Sequence, residues 1–476
     1  MKILFTNSPL HYSHGHTFTQ PDWQTLVLPT LAGIIREENH DILLIDNMTG
    51  LFRSNSIIKG IKDFGPDIIG FSIIAARDIF NTVKIINQVS QEFPNIILIA
   101  GGQGASFYDK MLLDAGVDFV VRGEGELTLR ELIKAINEKT ENFSYIKGIS
   151  FLNGDEIIKN EDRLRIATLD ESPLPAIDLM PLRKSRWFPG RFTGSIETSR
   201  GCPFTCNFCA ITSFWEGSFR RKSVDRIIEE MKILSKFNRT HIYMADDNFG
   251  MGANHHINLF ERILKEGLDV RFFAQMRTDT IAKHPDMVAL AAKAGLYGAL
   301  IGFDTYDEDT FHHISKQGGY ELNIRCSELL RKNNIMIFGT HIYGLPSQKK
   351  VFDFSGTYWS GRKNSDLFRM PHFSLLPGTE QYNKMASLEV LEASKKGYSG
   401  KDNEDYRLLI RPAKEKKKFK RGYTFFTLLN MLLPDEILKT IFSKNRNVRI
   451  IKKYGYISTF RFYFYRVLRF IRLTDI

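Results

Sequence analysis

Residues 197–209 read ETSRGCPFTCNFC and hold three of the four cysteines of this 476-residue chain. Cys202, Cys206 and Cys209 follow a C-x3-C-x2-C spacing. Four cysteines in so long a chain argue against a disulfide framework, which small secreted domains need. The clustering therefore indicates a metal site in a reducing, cytoplasmic compartment.

The number of thiols limits the kind of metal site. A four-cysteine zinc site needs a fourth ligand, but Cys326 lies in an amphipathic stretch, ELNIRCSELLRK, where we expect a buried structural thiol. Three thiolates on a cubane cluster leave one iron without a protein ligand. The sequence favours such a [4Fe–4S] cluster. The alternatives are an electron-transfer cluster or a zinc site completed by a histidine such as His241.

The cysteines follow the first of six β-rich runs that alternate with amphipathic helices between about residues 191 and 385. These runs are GSIETSRG, THIYMADDNF, VRFFAQMR, YGALIGFD, IMIFGTHIYG and PHFSLLPG. Six βα units predict a barrel or partial (β/α)6 barrel of the TIM type, whose chemistry belongs in the loops after the strands.

Residues 1–140 contain a second alternating series, with β-rich runs KILFTN, DILLIDN, DIIGFSII, NIILIAGG and DFVVRGEGE. Apolar runs separated by helices predict a parallel sheet covered on both faces, here a flavodoxin-like, doubly wound domain. Ligands of such folds bind at the carboxyl ends of the strands. Those ends carry Ser72, Gly101, Gly102, Gln103, Gly104, Gly123, Glu124, Gly125 and Glu126.

The remaining segments are a connector and a basic tail. Residues 141–190 are predicted to connect the two halves and to contain a small hairpin that turns at Asn153-Gly154. Residues 386–476 are predicted to form a basic, aromatic-rich helical region. The net charge of +11 resides there, because residues 411–476 hold 17 Lys and Arg against 4 Asp and Glu.

The end of the tail, YGYISTFRFYFYRVLRFIRL (454–473), mixes aromatic and basic side chains without an acidic one. It suits a peripheral contact with a membrane surface, and the alternative is an ordinary amphipathic helix packed on the barrel. Nucleic acid is not favoured because no RNA-binding module accompanies it. No run of about 18 uncharged apolar residues predicts a membrane span.

The C-x3-C-x2-C motif, with Phe208 before its last cysteine, resembles the signature of the radical S-adenosylmethionine (SAM) enzymes. The segments ETSRGCPFTCNFC, YMADDNF and SLLPGTEQY extend the resemblance over residues 190–385. It implies a cluster on the three cysteines, SAM on its open iron, and cleavage of SAM to a 5′-deoxyadenosyl radical. The electron would come from a reductant protein of the flavodoxin or ferredoxin type.

The same resemblance suggests roles for residues around the cluster. Asp246, Asp247 and Asn248 would face SAM or substrate, Arg277 would meet the SAM carboxylate, and Asp304 stands where the family more often has Glu. Alternatively, the two aspartates cap the next helix and Arg277 pairs with Asp279. We expect Arg200, Arg220 and Arg221 to balance the charge of the cluster, and Lys222 to lie on a solvated face.

The first 140 residues resemble the cobalamin-binding domain that precedes one large group of radical SAM enzymes. The resemblance is carried by IAGGQGASF (99–107) and VVRGEGELTLREL (120–132), and it implies cobalamin at the strand ends named above. The motif D-x-H-x-x-G, which supplies an axial histidine in other cobalamin domains, is absent. Its loop holds His11, His14 and His16 instead. A domain without cobalamin, and a metal bound by these histidines, remain alternatives.

The layout most resembles the group of the hopanoid C-3 methylase and the magnesium-protoporphyrin oxidative cyclase. This implies cobalamin-dependent methylation of an unactivated carbon on a hydrophobic small molecule, such as a lipid or pigment. The alternatives are radical oxidation or cyclisation without methyl transfer, or a non-catalytic cluster or cobalamin sensor or electron carrier.

Overall fold

The structure is a computed structural model that describes residues 1–7, 23–47, 55–74, 79–185, 187–385, 418, 421–426 and 429. The three loop histidines, His11, His14 and His16, and the aromatic-basic segment 454–473 lie outside the described residues, as does most of the predicted C-terminal helical region.

The first half contains one seven-stranded sheet of order β2-β1-β3-β4-β5-β6-β7. Strands β1 to β5 are parallel and follow the flavodoxin order, which confirms the predicted doubly wound domain. The strands are β1 (Lys2–Asn7), β2 (Asp41–Ile45), β3 (Ile68–Ser72), β4 (Ile97–Gly101), β5 (Phe119–Val121), β6 (Ile149–Asn153) and β7 (Glu156–Lys159).

Helices cover both faces of this sheet. Successive strand residues point to opposite faces, so Ile3 and Phe5 join one apolar cluster while Leu4 joins the other. The helices are α1 (Val27–Ile35), α2 (Asn55–Phe64), α3 (Ile79–Glu92), α4 (Gln103–Phe107), α5 (Asp109–Asp114) and α6 (Gly125–Asn137).

The predicted hairpin exists and extends the sheet beyond β5 as β6 and β7. Its turn lies one residue later than expected, because Asn153 pairs with Glu156 and leaves Gly154 and Asp155 as the loop. Gly154 has φ +60°, a left-handed conformation that glycine adopts at little cost.

The second half is a six-stranded parallel sheet of order β15-β14-β13-β12-β11-β8, which confirms the predicted partial barrel. Its strands are β8 (Thr193–Ile196), β11 (His241–Met244), β12 (Arg271–Met276), β13 (Leu296–Asp304), β14 (Met336–His341) and β15 (Leu367–Arg369). The short strands β9 (Ser199–Gly201) and β10 (Phe219–Arg221) pair antiparallel beside β8.

The sixth strand is not the predicted one. The segment PHFSLLPG contributes only an isolated bridge between His372 and Tyr343, and β15 forms earlier in the chain. Pro371 and Pro377 explain the difference, because proline cannot donate to a strand ladder.

Helices pack on the outer face of the second sheet and build the largest apolar cluster with it. They are α7 (Ala210–Trp215), α8 (Val224–Lys236), α9 (Ala253–Lys265), α10 (Thr278–Lys283), α11 (Pro285–Ala294), α12 (Glu308–His313), α13 (Tyr320–Lys332), α14 (Ser355–Asn364) and α15 (Glu380–Met385). In the described residues, no helix is both long and apolar enough to cross a membrane.

Aromatic side chains fill the amino-terminal part of the barrel interior, and one of them comes from the first half of the chain. Trp23 lies with its ring centroid 5.1 Å from that of Tyr243 and 5.7 Å from that of Phe273. The next residue, Gln24, accepts a 2.6 Å hydrogen bond from Ser195 Oγ through its backbone oxygen. The two halves therefore share one packed interior.

Candidate active site

The cysteines lie on the loop between β9 and α7, at the carboxyl end of the barrel. Asn207 anchors this loop: its backbone N–H donates to Ile314 O at 3.2 Å, and its side-chain amide donates to His313 O at 2.8 Å. Gln381 N donates to Asn207 O at 3.0 Å. The loop is thus fixed to the ends of α12 and α15.

Donors surround the three thiols. Arg277 Nη1 lies 3.7 Å from Cys206 Sγ, and Asn248 Nδ2 lies 3.7 Å from Cys202 Sγ. Burial raises the pKa of Cys209 to about 11, opposed by the N–H groups of Ile211 and Thr212 at the start of α7. These donors favour the thiolate, the form that binds iron, so the set suits a metal centre.

Arg277 is held on three sides. Its Nε donates to Asp279 Oδ1 at 2.9 Å, its Nη2 donates to Gln317 O at 2.8 Å, and its guanidinium carbon lies 3.5 Å from the centre of the Phe204 ring. The predicted pairing with Asp279 exists, and it aims the cation at the cysteine loop.

Asp246 does not face an open pocket. Its Oδ1 accepts Thr198 N at 2.7 Å, and its Oδ2 accepts the hydroxyls of Thr198 and Ser199 at 2.5 Å each. Burial raises its pKa to about 7, although these hydrogen bonds oppose the shift. Asp246 therefore holds the chain that leads to the cysteines, and its contact with SAM stays a prediction.

Asp247 and Asn248 follow Asp246 beyond the carboxyl end of β11, and they have different partners. Asp247 Oδ2 accepts Gly201 N at 3.0 Å, while Asn248 reaches Cys202. The alternative that the aspartates cap a helix is wrong, because the next helix, α9, begins at Ala253 with Gly252 before it.

Asp304 ends β13 and forms a buried ion pair. Its Oδ2 lies 2.5 Å from Lys316 Nζ, and that ammonium also donates to Gly302 O. Sequence reasoning missed Lys316, whose partner is 12 residues away.

Arg200 and Arg220 bind carboxylates of the first domain instead of surrounding the cluster. Arg200 Nη1 lies 2.7 Å from both Glu124 and Glu126, and its Nη2 lies 2.7 Å from Glu197. Arg220 lies 2.9 Å from Glu124. Burial acts to raise the pKa of Glu124, but its hydrogen bonds and charge pairs with the two arginines lower the pKa below its ordinary value.

Lys222 corrects another expectation. It is buried, not solvated, and its Nζ lies 2.6 Å from Glu230 Oε1. The neighbouring Arg221 is exposed. Lys222 follows a strand and Glu230 lies on the next helix. The sequence pattern of such residues is the same for a buried ion pair and for a solvated one.

The zinc alternative through His241 finds no support. Its ring nitrogens lie 2.8 Å from Ser185 Oγ and 2.7 Å from Tyr297 OH, at the barrel end opposite the cysteines. Burial lowers its pKa to about 3.

Cys326 is fully buried in the main core, which confirms a structural thiol. Across the described residues, no group of three or more His, Cys, Asp or Glu is placed to hold one metal ion.

The structure brings the predicted glycines of the first domain to one edge of its sheet. Gly101 pairs with Ser72 in register, and Gly102 has φ +98°, where an added Cβ would lie 2.8 Å from Ile73 O. Gly123 N donates to Ser106 Oγ at 3.0 Å. Beside them, Gln103 Nε2 is buried with no hydrogen-bond partner in the part of the chain described. Gly104 and Gly125 lie in the first turns of α4 and α6 at the same edge.

This edge faces the barrel. The Phe107 ring of α4 packs over Gly378, where an added Cβ would lie 2.4 Å from Phe107 Cε1. Gly378 belongs to the Pro-Gly-Thr turn that precedes α15, the helix that anchors the cysteine loop. The carboxyl ends of both sheets therefore lie against each other.

Two family profiles match the chain in the same two places. The profile described as "B12 binding domain" matches residues 19–133, and the profile of the "Radical SAM superfamily" matches residues 196–350.

Curated relatives share both halves. An uncharacterized methyltransferase of Pyrococcus horikoshii is 31% identical over 68% of this chain and 70% of its own length. The hopanoid C-3 methylase of Methylococcus capsulatus is 27% identical over 71% and 64%, respectively. The anaerobic magnesium-protoporphyrin IX monomethyl ester cyclase of Synechocystis is 27% identical over 72% and 68%.

Solved structures show the same fold. The radical SAM methyltransferase TsrM from Kitasatospora setae, solved with cobalamin and a [4Fe–4S] cluster, superposes with a TM-score of 0.64 over 81% of this chain and 74% of that chain, at 16% identity. The cobalamin-dependent radical SAM enzyme OxsB superposes with a TM-score of 0.60 over 83% and 56%, at 23% identity.

Proposed function

Because the chain belongs to the radical SAM enzymes that carry an N-terminal B12-binding domain, we propose that it methylates an unactivated carbon of a hydrophobic small molecule. Such enzymes need a reductant and act on small molecules. The observation that carries the proposal is the contact between the glycine edge of the first sheet and the turn beside the cysteine loop. This contact would hold a methyl donor next to a radical source.

The residues fit the implied cofactors. Cys202, Cys206 and Cys209 would hold the [4Fe–4S] cluster, because three thiols with nearby donors suit iron and leave one coordination site for SAM. When bound, the cluster supplies an electron to SAM, SAM supplies the radical, and cobalamin supplies the methyl group.

Asn248 and Arg277 are the side chains that we assign to SAM. Asn248 Oδ1 is buried with no hydrogen-bond partner in the described residues, so it can accept an N–H from the amino group of SAM. Arg277 offers a positive charge to the carboxylate. Asp246 and Asp304 would act only through the loop and lysine that they hold.

Cobalamin would lie on Ser72, Gly101, Gly102, Gln103, Gly104, Gly123 and Gly125. The buried amide of Gln103 supports this placement, because an unpaired donor at the sheet edge suits a polar ligand group. Glu124 and Glu126, also predicted there, would instead fix the loop by binding Arg200.

The barrel's own residues exclude water from one side. Trp23, Tyr243 and Phe273 fill the amino-terminal interior, so a substrate would enter from the carboxyl end, where the cysteines lie. Two relatives are named for a hopanoid and a protoporphyrin ester, both large and mainly apolar molecules, which supports a lipid- or pigment-like substrate.

We also propose a division into a cobalamin domain (1–140), a connector (141–190), a radical SAM core (191–385) and a basic C-terminal region (386–476). The two profile matches and the start of the second sheet at Thr193 support the inner boundaries, although the connector's hairpin, β6 and β7, extends the first sheet beyond residue 140. Trp23 crosses this division, because it packs inside the core.

Anaerobic reconstitution with iron, sulfide, SAM and a reductant tests the radical chemistry. We expect 5′-deoxyadenosine from the wild type and none from Cys206→Ala, which would also lose iron. Cys326→Ala is the matched control and should keep both. An intact cluster that yields no 5′-deoxyadenosine would contradict the proposal and support an electron carrier.

Methyl transfer is tested separately. Protein from cobalamin-fed cells should show a corrinoid absorption spectrum, and lipid and pigment extracts of cells given deuterated methionine should contain a labelled product only when the protein is present. Formation of 5′-deoxyadenosine without corrinoid or label would favour oxidation or cyclisation, the alternative that the cyclase relative supports.

A further inference from the structure

Three large aromatic side chains are exposed over one buried aromatic cluster at the surface of the barrel. Phe352 is 66% exposed, Trp359 53% and Phe425 48%. The Phe352 and Phe425 ring centroids are 6.2 Å apart, and Trp359 adjoins Tyr358, which packs against Phe426 beneath them. We call Phe352, Trp359 and Phe425 the aromatic triad.

A layer of buried aromatic side chains lies beneath the triad. Phe354, Tyr358 and Phe426 are buried under it, and residues 421–426 are helical and seated directly on Val351, the nearest side chain to Gly422. Aromatic side chains that stay exposed over a packed cluster keep apolar area in contact with water, so a group of them marks a surface that binds something apolar.

Basic side chains border the triad. Lys349 and Lys350 precede Phe352, and Arg421 lies one helical turn before Phe425; all three are exposed. The acidic neighbour Asp353 is turned to the backbone, where its Oδ2 accepts Lys350 N at 2.7 Å. Apolar aromatic groups surrounded by cations match a membrane interface, whose apolar layer lies below anionic headgroups.

We propose that the aromatic triad and these basic residues dock the protein on an anionic lipid surface. The sequence around Arg421 and Phe425 is also strongly basic, because residues 411–476 carry 17 basic and 4 acidic residues. The surface also adjoins the barrel rim: the Tyr423 ring centroid is 3.7 Å from that of His372, which bridges to Tyr343, two residues beyond β14.

An acidic electron donor is the other partner that the charge would suit. It must approach the cysteine loop, which follows β8, whereas α14 covers β14 and β15 at the opposite edge of the sheet. The position of the triad therefore favours lipid. The inference concerns binding alone and does not depend on the proposed reaction.

Vesicle sedimentation of the full-length protein tests the proposal. We expect binding to phosphatidylcholine vesicles that contain phosphatidylglycerol, and a loss of at least about tenfold when Phe352, Trp359 and Phe425 are all changed to Ser, because three aromatic groups then stay in water. Lys349→Glu with Arg421→Glu should weaken binding only to the anionic vesicles. Leu164→Ser, at a leucine that is 88% exposed elsewhere, is the matched control and should bind as wild type.

Tryptophan fluorescence gives a second measurement that does not depend on folding of the triple variant. Brominated lipids should quench wild-type emission, and Trp359→Phe should keep vesicle binding while losing that quenching. Equal vesicle binding by the wild type and the triple Ser variant would assign binding to another segment and overturn the proposal. The proposal would also be overturned if the wild type bound flavodoxin or self-associated but did not bind vesicles, and the triple Ser variant lost that protein binding.

Discussion

At the scale of single residues, the site is built from side chains that hold the cysteine loop more than from side chains that face a pocket. Asp246 and Asp247 bind backbone N–H groups of the chain that leads to the cysteines, and Asn207, within the loop, binds the end of α12. Arg277 and Asn248 alone among the predicted SAM residues reach the thiols. The residue types were predictable from the motif, but their partners were not, because each partner is distant in sequence.

Replacing Arg277 by Gln tests its electrostatic role. Removing a positive charge and an N–H donor beside Cys206 should lower the reduction potential of the reconstituted cluster and slow 5′-deoxyadenosine formation by at least about tenfold. Redox titration followed by electron paramagnetic resonance measures the potential. Arg271→Gln, at the other end of the same strand, is the control; an unchanged potential in Arg277→Gln with full iron content would contradict the assignment.

Asp246 predicts a pH dependence of the apo protein. Burial raises its pKa from the ordinary value of 3.8 to about 7, so the folded state keeps a proton that the unfolded chain has released. Stability from this group should therefore fall as pH rises from about 4 to about 7, by up to about 1.4 kcal/mol per pH unit.

Urea unfolding of apo protein across that range measures the slope. Asp246→Asn should flatten it, and Asp247, whose pKa burial raises to about 6, should leave a smaller slope of the same sign. An Asp246→Asn variant with the same pH slope as the wild type would show that Asp246 does not contribute to it.

At the scale of elements, hydrophobic patterning predicted both sheets but misplaced their margins. The five β-rich runs of the first half became β1 to β5 because continuous apolar runs are what a doubly covered sheet requires. The sixth barrel strand was misplaced because PHFSLLPG has strand-like side chains but two prolines, and LFR before it is too short to give a pattern. The hairpin was predicted, but its pairing with β5 depends on contacts that a local pattern does not carry.

The turn after β4 gives a prediction about backbone geometry. Gly102→Ala should destabilise the protein by more than about 2 kcal/mol, because φ +98° is unfavourable for alanine and its Cβ would meet Ile73 O. Gly123→Ala, with φ +69° and nothing within 4 Å of the new Cβ, should cost only about 1 kcal/mol. Thermal unfolding compares the two, and equal losses would contradict the steric argument.

At the scale of the whole molecule, Arg200 joins the two sheets through three carboxylates, two from the first domain and one from the barrel. It lies two residues before Cys202, so the loop that would border cobalamin and the loop that would hold the cluster share one cation. The sequence showed GEGE and TSRGC as separate motifs, and only the fold reveals that they meet.

Arg200→Met should destabilise the protein by about 3 kcal/mol or more, because it leaves buried carboxylates without their partner. It should also raise the ratio of 5′-deoxyadenosine formed to methyl groups transferred, since the two loops lose their common anchor. Arg36→Met removes an exposed pair with Asp178 and should cost less than about 1 kcal/mol. A coupling ratio unchanged by Arg200→Met would limit Arg200 to stability.

The placement of Trp23 inside the barrel has a consequence for how the chain folds. The first sheet can form as soon as residues 1–159 leave the ribosome, but Gln24 bonds to Ser195, 171 positions later, and to Arg239, 215 positions later. Contacts between residues so distant in sequence form slowly, because the entropy cost of closing a large loop comes before the contacts contribute any stabilising free energy. We therefore expect docking of the Trp23 segment to be a late folding step, during which the aromatic interior of the barrel stays open to water and to aggregation.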